Sequence, residues 1–273
     1  MLADITPVLL TQNEAENIGR TLSRLTWAKD IVIVDSGSTD ETLDIVRAFP
    51  QVRVFQRPFD SHAGQWQFAT RDTEIRTQWV LRLDADYDVS DALIAEMSKL
   101  DTNAHVSAYR VSFDYAIFSH KLRSSLYPAN TVLLRRGQFS IEDAGHTERW
   151  IVRGAVEDLH GRIVHDDRKP LSRWFASQRR YAEREANYLL QGGPRALKLT
   201  DRVRRMAWPA PFAVFCYVLI YKGCIFDGWA GWYYALQRFL AEVLIAIALI
   251  DRRLRATVSK VIPPDGGRPR SQN

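Results

Sequence analysis

An α/β fold, a mainly parallel sheet flanked by helices and followed by a helical C-terminal region, is what the sequence predicts. Three observations carry the prediction. Short apolar runs alternate with helical patterns from Thr6 to Leu83. A polar, Gly-containing loop, Asp35-Ser36-Gly37-Ser38-Thr39-Asp40, directly follows a wholly apolar run. Beyond Leu171 the pattern changes to long amphipathic and apolar helical stretches.

Taken in order, Pro7–Leu10 reads as a first strand, about Glu14 to Leu25 as a helix, and Ile31–Val34 as a second strand. A helix over Thr39–Phe49, a strand at Val52–Phe55, a helix around Gly64–Arg71 and a strand at Trp79–Leu83 continue the alternation. Ala108–Phe113 and Thr131–Leu134 read as later strands on either side of an Ile117–Ser125 connection. In open α/β sheets, ligands bind at the strand ends where such polar loops emerge.

Leu171–Leu190 repeats Trp174, Phe175, Tyr181, Tyr188 and Leu189 at helical spacing, with Arg173, Arg179, Arg180 and Arg184 elsewhere on the wheel. A basic link, Arg195–Arg205, leads to an apolar, Trp/Tyr-rich region, Met206–Ile250. Lys222, Asp227, Arg238 and Glu242 interrupt that region, so neither of its apolar runs reaches the ~18–20 residues of a spanning helix. The expectation is a helix pair lying in the headgroup region of a membrane; a hairpin packed on the sheet or in a dimer interface is the alternative. The tail 263–273 is expected to be disordered.

Of 273 residues 46% are hydrophobic and 25% charged, which excludes disordered and collagen-like chains. The net charge of +5 hides an asymmetry: residues 1–140 carry −3 and residues 141–273 carry +8. Basic residues interleaved with aromatics suit phosphates or anionic lipid. They form no nucleic-acid-binding motif, so no nucleic-acid partner is expected. Cys216 and Cys224 have no neighbours at zinc spacing, and the N-terminus lacks a secretory pattern, which points to a reducing, cytoplasmic setting.

The sharpest chemical signal is Leu83-Asp84-Ala85-Asp86 at the end of an apolar strand. Residues two apart in an extended chain face the same way, and two carboxylates there repel unless a cation lies between them. Mg²⁺ or Mn²⁺ bridging a diphosphate answers that need. Strand one ends in Thr11-Gln12-Asn13-Glu14 and strand two in the Asp35–Asp40 loop, so three polar strand ends define a crevice for a nucleotide. Asp35 is the candidate for base or ribose. Helix capping by Ser38 or Thr39 is the structural alternative for that loop.

Pro7–Asn17, Val34–Asp40 and Leu83–Asp86 resemble, in order and spacing, the nucleotide-sugar-binding signatures of glycosyltransferase family 2, on the Rossmann-like GT-A fold. The C-terminal Phe226-Asp227-Gly228-Trp229-Ala230-Gly231 is similar to the lipopolysaccharide-core and capsule subtype. The resemblance implies an inverting transfer of a sugar from a nucleoside diphosphate, UDP-sugar favoured, to a hydroxyl of a lipid-linked or lipopolysaccharide-core glycan. It implies a catalytic domain over 1–165 and a helical, membrane-associating region over 166–262, at the cytoplasmic face of the inner membrane. By position Thr11, Asn13, Glu14, Asp35 and Ser38 would bind the nucleotide, and Asp84 and Asp86 the metal, with His165 joining them.

Inversion in one displacement requires a base near the acceptor hydroxyl. The segment Glu142-Asp143-Ala144-Gly145-His146-Thr147-Glu148 resembles the family's base-bearing stretch, with Glu148 first, then Asp143 and His146 as candidates and Glu157-Asp158 more distant. The His165-Asp166-Asp167-Arg168-Lys169 run also resembles the subtype, a solvated turn being the alternative for Asp166 and Asp167. Gln65, Trp66 and Gln67 depart from the Asn or Arg usual near the donor, which leaves the donor sugar open. A polyprenyl-phosphate glycosyltransferase and a catalytically silent sugar-nucleotide sensor or membrane adaptor are the other readings. A nucleotidyltransferase would want a Gly-rich basic loop, which Pro7–Arg20 lacks.

Overall fold

Strands covered on both faces have no polar side to show, and the first strands obey that rule: Ile5–Thr11 (β1) and Ile31–Asp35 (β2) are buried almost throughout. In the computed structural model, which describes residues 1–101, 105–143, 148–191 and 199–261, they lie inside a nine-stranded sheet. The chain divides into two units, Met1–Pro170 and Leu171–Asn273. Asp166–Pro170 thus belong with the sheet.

Between β1 and β2 runs α1 (Ala15–Ser23), and after β2 come α2 (Thr42–Arg47) and β3 (Val52–Gln56). The second helix starts later than the pattern suggests because Ser38 and Asp40 use their side chains to fasten the loop ahead of it: Asn13 N–H donates to Ser38 Oγ at 2.7 Å and Thr42 N–H to Asp40 Oδ1 at 3.0 Å. Then follow α3 (His62–Arg71), β4 (Trp79–Asp84), β5 (Tyr87–Val89) and α4 (Asp91–Lys99). Ser61 and Ser90 cap α3 and α4 by accepting from Gly64 and Leu93 N–H. The remainder is β6 (Val106–Ile117), β7 (His120–Lys121), β8 (Asn130–Arg135), β9 (Phe139–Asp143), β10 (Glu148–Val152) and β11 (Ala155–His165).

The sheet order is β3-β2-β1-β4-β8-β6-β11-β5, with β7 on β6. β3, β2, β1 and β4 are parallel, β8 enters antiparallel, and β11 is parallel to β6. Alternate residues feed two cores. Leu9, Ile33, Leu81 and Leu83 pack under α1 and α4 with Ile18, Leu22 and Leu93, whereas Val8, Val34 and Val80 pack under α3 with Trp66 and Ala69. Gly161 permits the contact between β11 and α4, since a Cβ there would lie 2.4 Å from Leu93 Cα. β9 and β10 form a separate hairpin whose Trp150 meets Trp66 at 5.5 Å.

The second unit contains α5 (Leu171–Gln191), α6 (Leu199–Arg205) and α7 (Pro209–Cys216), which runs on as a π-helical turn, Tyr217–Tyr221. Gly223, at φ 73°, takes the left-handed conformation that ends it, and α8 (Gly228–Val261) returns. Ala186, Leu189 and Leu249 make the seam of α5 and α8. Cys216 and Cys224 are free thiols.

Here the structure corrects one expectation. Cys224–Thr257 contains one helix long and apolar enough to cross a membrane by length and composition, with a window of mean hydropathy 1.6. Glu242 lies within α8, where it is buried with Arg204 at 2.6 Å. The expected disordered tail, 263–273, lies outside the described residues.

Candidate functional site

The site grows from the loop after β2. Asp35 is fully buried and four donors converge on its carboxylate: Gly37 N–H at 3.0 Å and Ser38 N–H at 2.8 Å on Oδ1, the Thr11 hydroxyl at 2.9 Å and the Ser38 hydroxyl at 2.5 Å on Oδ2. A carboxylate offers about four lone-pair positions, so protein donors fill it. Asn13, held at φ 56°, accepts from Thr39 N–H at 2.6 Å, and Glu14 N–H donates to the Thr42 hydroxyl at 2.6 Å. Thr11, Asn13, Glu14, Asp35 and Ser38 are therefore brought together, two strand ends stitched into one rim.

Asp84 ends β4, and the chain then turns through Ala85 and Asp86 into β5. The two carboxylates are thus not successive same-face residues of one extended strand; a turn gives them their proximity. The Thr21 hydroxyl of α1 fixes that turn by donating to Ala85 O at 2.6 Å, and Asp166 N–H donates to Asp86 O at 3.2 Å. Burial, reinforced by the charge of Asp86, pushes the Asp84 carboxyl above its ordinary range. Asp86 falls to about 2, because the His165 imidazolium and the Lys169 ammonium outweigh the burial that would raise it.

His165, the last residue of β11, stands opposite Tyr87 on one side and Tyr115 on the other. Its Nε2 is 3.3 Å from Asp86 Oδ2, and the Tyr127 ring packs edge-on against it at 4.6 Å. The Tyr87 and Tyr127 hydroxyls bond to each other, closing an aromatic wall around the imidazole. Asp86 raises the basicity of His165 against the opposing effect of burial.

The stretch after His165 is not a solvated turn. Asp166 is buried and accepts from Ser119 N–H at 3.0 Å, while Arg20 Nη2 donates to its carbonyl at 2.5 Å. Asn17 reaches both ways, accepting from Arg168 N–H at 3.1 Å and donating to Asp167 Oδ1 at 3.1 Å. This strap delivers Lys169 to Glu14 at 2.9 Å, Asp167 at 3.6 Å and Asp86 at 3.9 Å. Burial, with the charge of Asp86, pushes the Glu14 carboxyl up to about 7 although Lys169 opposes the shift.

Candidate bases lie on the hairpin. Glu148 and Asp143 are directly opposed in its register, Asp143 exposed and Glu148 half-buried. Glu148 Oε1 is 2.9 Å from Arg82 Nη2 and accepts from Trp150 Nε1 at 3.3 Å. Arg82 lies over the rings of Trp66 and Trp150, and shares its face of β4 with Asp84, two residues on. His146 lies outside the described residues. Gln65 is buried and donates to Ser36 Oγ at 3.0 Å, so it braces the loop after β2.

Sequence reasoning assigned no individual role to Asn17, Arg82 or Lys169, although Asn17 closes the Pro7–Asn17 run and Lys169 the His165–Lys169 run that resemble the family. Arg82 carries no motif of its own. Lys169 had one available signal, a cation four residues after His165 within an acidic run.

A hard divalent cation suits this donor set in one respect: Asp86 Oδ1 is buried without a hydrogen-bond partner, beside a second carboxylate whose charge opposes its own. Among the described residues no three His, Cys, Asp or Glu side chains converge as a preformed metal cluster. The remaining oxygens of such an ion would have to come from its ligand.

A mainly parallel sheet, polar strand ends gathered at its carboxyl edge and an acidic turn after the fourth strand define a GT-A-type α/β protein. The chain belongs to glycosyl transferase family 2, whose profile matches residues 8–159. It is similar to the lipopolysaccharide core biosynthesis glycosyltransferase LpsC of Rhizobium meliloti, 26% identical over 70% of this chain and 74% of that one. An uncharacterized glycosyltransferase of Rickettsia bellii is 30% identical over 38% of this chain, and the match spans 35% of the Rickettsia protein, about a third of its length. Among solved structures, glucosyl-3-phosphoglycerate synthase of Mycobacterium tuberculosis, in complex with Mn²⁺, UDP and phosphoglyceric acid, aligns at a TM-score of 0.34 and 20% identity over 41% of this chain and 43% of that one.

Proposed function

We propose that this chain transfers a sugar, with inversion, from a nucleoside diphosphate sugar, UDP-sugar favoured, to a hydroxyl of a lipopolysaccharide-core or other lipid-linked glycan. The observation that carries the reading is the convergence of the Asp35 loop, the Asp84–Asp86 turn and His165 at one edge of the sheet. The Thr11–Ser38 rim receives the nucleoside, its shape fixed in advance by Asp35. Asp84 and Asp86, with His165 beside Asp86, would hold Mg²⁺ or Mn²⁺. When bound, that ion neutralises the diphosphate as it leaves.

Glu148 is the proposed base. Arg82 and Trp150 orient its carboxylate, which takes the proton of the attacking hydroxyl. Asp143, across the hairpin, is the second candidate.

The second unit supports a membrane-bound acceptor. Trp208, Tyr221 and Phe226 are each more than 70% exposed, and α6 and the end of α8 add Arg202, Arg205, Arg252 and Arg255. Aromatics beside arginines favour the anionic face of a bilayer, at the cytoplasmic side of the inner membrane.

Calorimetric titration with UDP, GDP, dTDP and CDP, each with and without Mn²⁺, tests the reading. Metal-enhanced binding of one nucleotide, reduced at least tenfold in Asp86→Ala, is expected. Absence of binding by every nucleotide would refute a donor site.

A further inference from the structure

The Lys169 ammonium lies beside Asp86, the carboxylate at which the donor-site reading puts the diphosphate, and it is a cation the chain carries itself. Its nitrogen is 2.9 Å from Glu14 Oε1, 3.6 Å from Asp167 Oδ1 and 3.9 Å from Asp86 Oδ2. The side chain is four-fifths buried, so this is not a solvated surface pair. An ammonium has three donors. Glu14 takes one at full hydrogen-bond strength, and the approaches to Asp167 and Asp86 exceed hydrogen-bond length.

The ammonium also faces the Oδ2 side of Asp86, together with His165, whereas the buried Oδ1 has no partner. The ammonium beside Oδ2 therefore leaves the other Asp86 oxygen to a divalent ion, should Asp86 hold one. The strap that carries Lys169 is fixed independently of any ligand, by Asn17, Arg20 and Ser119. The positive charge is thus held in place before a ligand arrives, which is the condition under which a charged contact contributes most.

Resting on the donor-site reading above, we infer that Lys169 is a diphosphate-binding residue, a resident cation that lets the nucleotide bind without a divalent ion. A phosphate oxygen takes an ammonium donor that Glu14 does not hold. Glu14 and Asp167 keep the side chain extended toward the crevice and act as positioning residues.

The test is calorimetric titration of the full chain with UDP, once in EDTA and once with saturating Mn²⁺, for wild type, Lys169→Ala and Lys169→Arg, with thermal melting of each. Wild type is expected to bind UDP in EDTA. Lys169→Ala should weaken that binding by about 10- to 100-fold, the range for one hydrogen bond to a charged group. Lys169→Arg should stay within about threefold of wild type, since it restores the charge. Equal affinity of Lys169→Ala and wild type in EDTA would overturn the inference.

Wild-type binding seen only with Mn²⁺ would overturn it too, while leaving the donor site standing. No binding of UDP in either condition would overturn the inference and the preference for UDP, and the donor site itself would fall only if GDP, dTDP and CDP also failed to bind. If Lys169→Ala melts without cooperativity, Lys169→Met, which keeps the apolar stem and removes the charge, takes its place: the same loss of binding in EDTA supports the inference, and wild-type affinity overturns it.

Discussion

Asp35 offers the most direct test of how the crevice is built. Replacing it by Ala removes the acceptor of four hydrogen bonds from a position with no solvent exposure. Gly37 is exposed, so its N–H regains water. The Thr11 hydroxyl, on a residue 2% exposed, does not, and the Ser38 hydroxyl and N–H lose a shared partner. Hydrogen bonds to charged groups contribute ~1.5–3 kcal/mol each, and two that water cannot replace give about 3–6 kcal/mol for Asp35→Ala. Asp35→Asn retains one oxygen for the two N–H groups, and both hydroxyls can turn to accept from the new amide, so its cost should be about 1–2 kcal/mol. Urea unfolding followed by circular dichroism reads both values. UDP titration of the folded variants should show weaker binding in the same order. A loss below about 1 kcal/mol for Asp35→Ala, or equal losses for the two variants, would refute the claim that this carboxylate organises the loop.

Two further outcomes are expected. Glu148→Gln should lower sugar transfer by ~10²-fold or more with nucleotide affinity little changed, as read by turnover and titration in parallel; should Asp143→Asn show that loss instead, the two roles are exchanged. Glu14 gives a pH signature: its folded value of about 7 exceeds the ordinary 4.5, so the folded chain retains a proton that the unfolded chain releases between those values. Its contribution therefore lowers stability as pH rises through that window, by up to about 3 kcal/mol at 1.36 kcal/mol per unit. Denaturation in EDTA from pH 4 to 8 should show a flatter profile for Glu14→Gln, and identical slopes would contradict the buried, protonated carboxyl.

Local pattern determined much of this protein. Apolar runs such as Ile31–Val34 announce strands buried on both faces, because a covered strand cannot alternate. The polar ends at Thr11–Glu14, Asp35–Asp40 and Asp84–Asp86 mark the sheet's ligand edge, since only there does the chain leave the core with side chains to spare. The periodicity of Leu171–Leu190 likewise yields α5 to within a residue.

Tertiary structure decided what those side chains meet. Asp35 reads in sequence as a group facing the ligand, yet donors from two strand ends saturate it, a fact visible only once β1 and β2 are side by side. Arg82 looks like an ordinary polar residue within a strand until the β9–β10 hairpin brings Glu148 and Trp150 onto it. Glu242 interrupts an apolar run in one dimension, yet in the fold it is buried and paired with Arg204 at 2.6 Å. Lys169 is 155 residues from Glu14 in the chain and 2.9 Å from it in space. Spacing reports neighbours along one element, whereas charge pairing across elements depends on how strands order and loops close, and no local pattern encodes that.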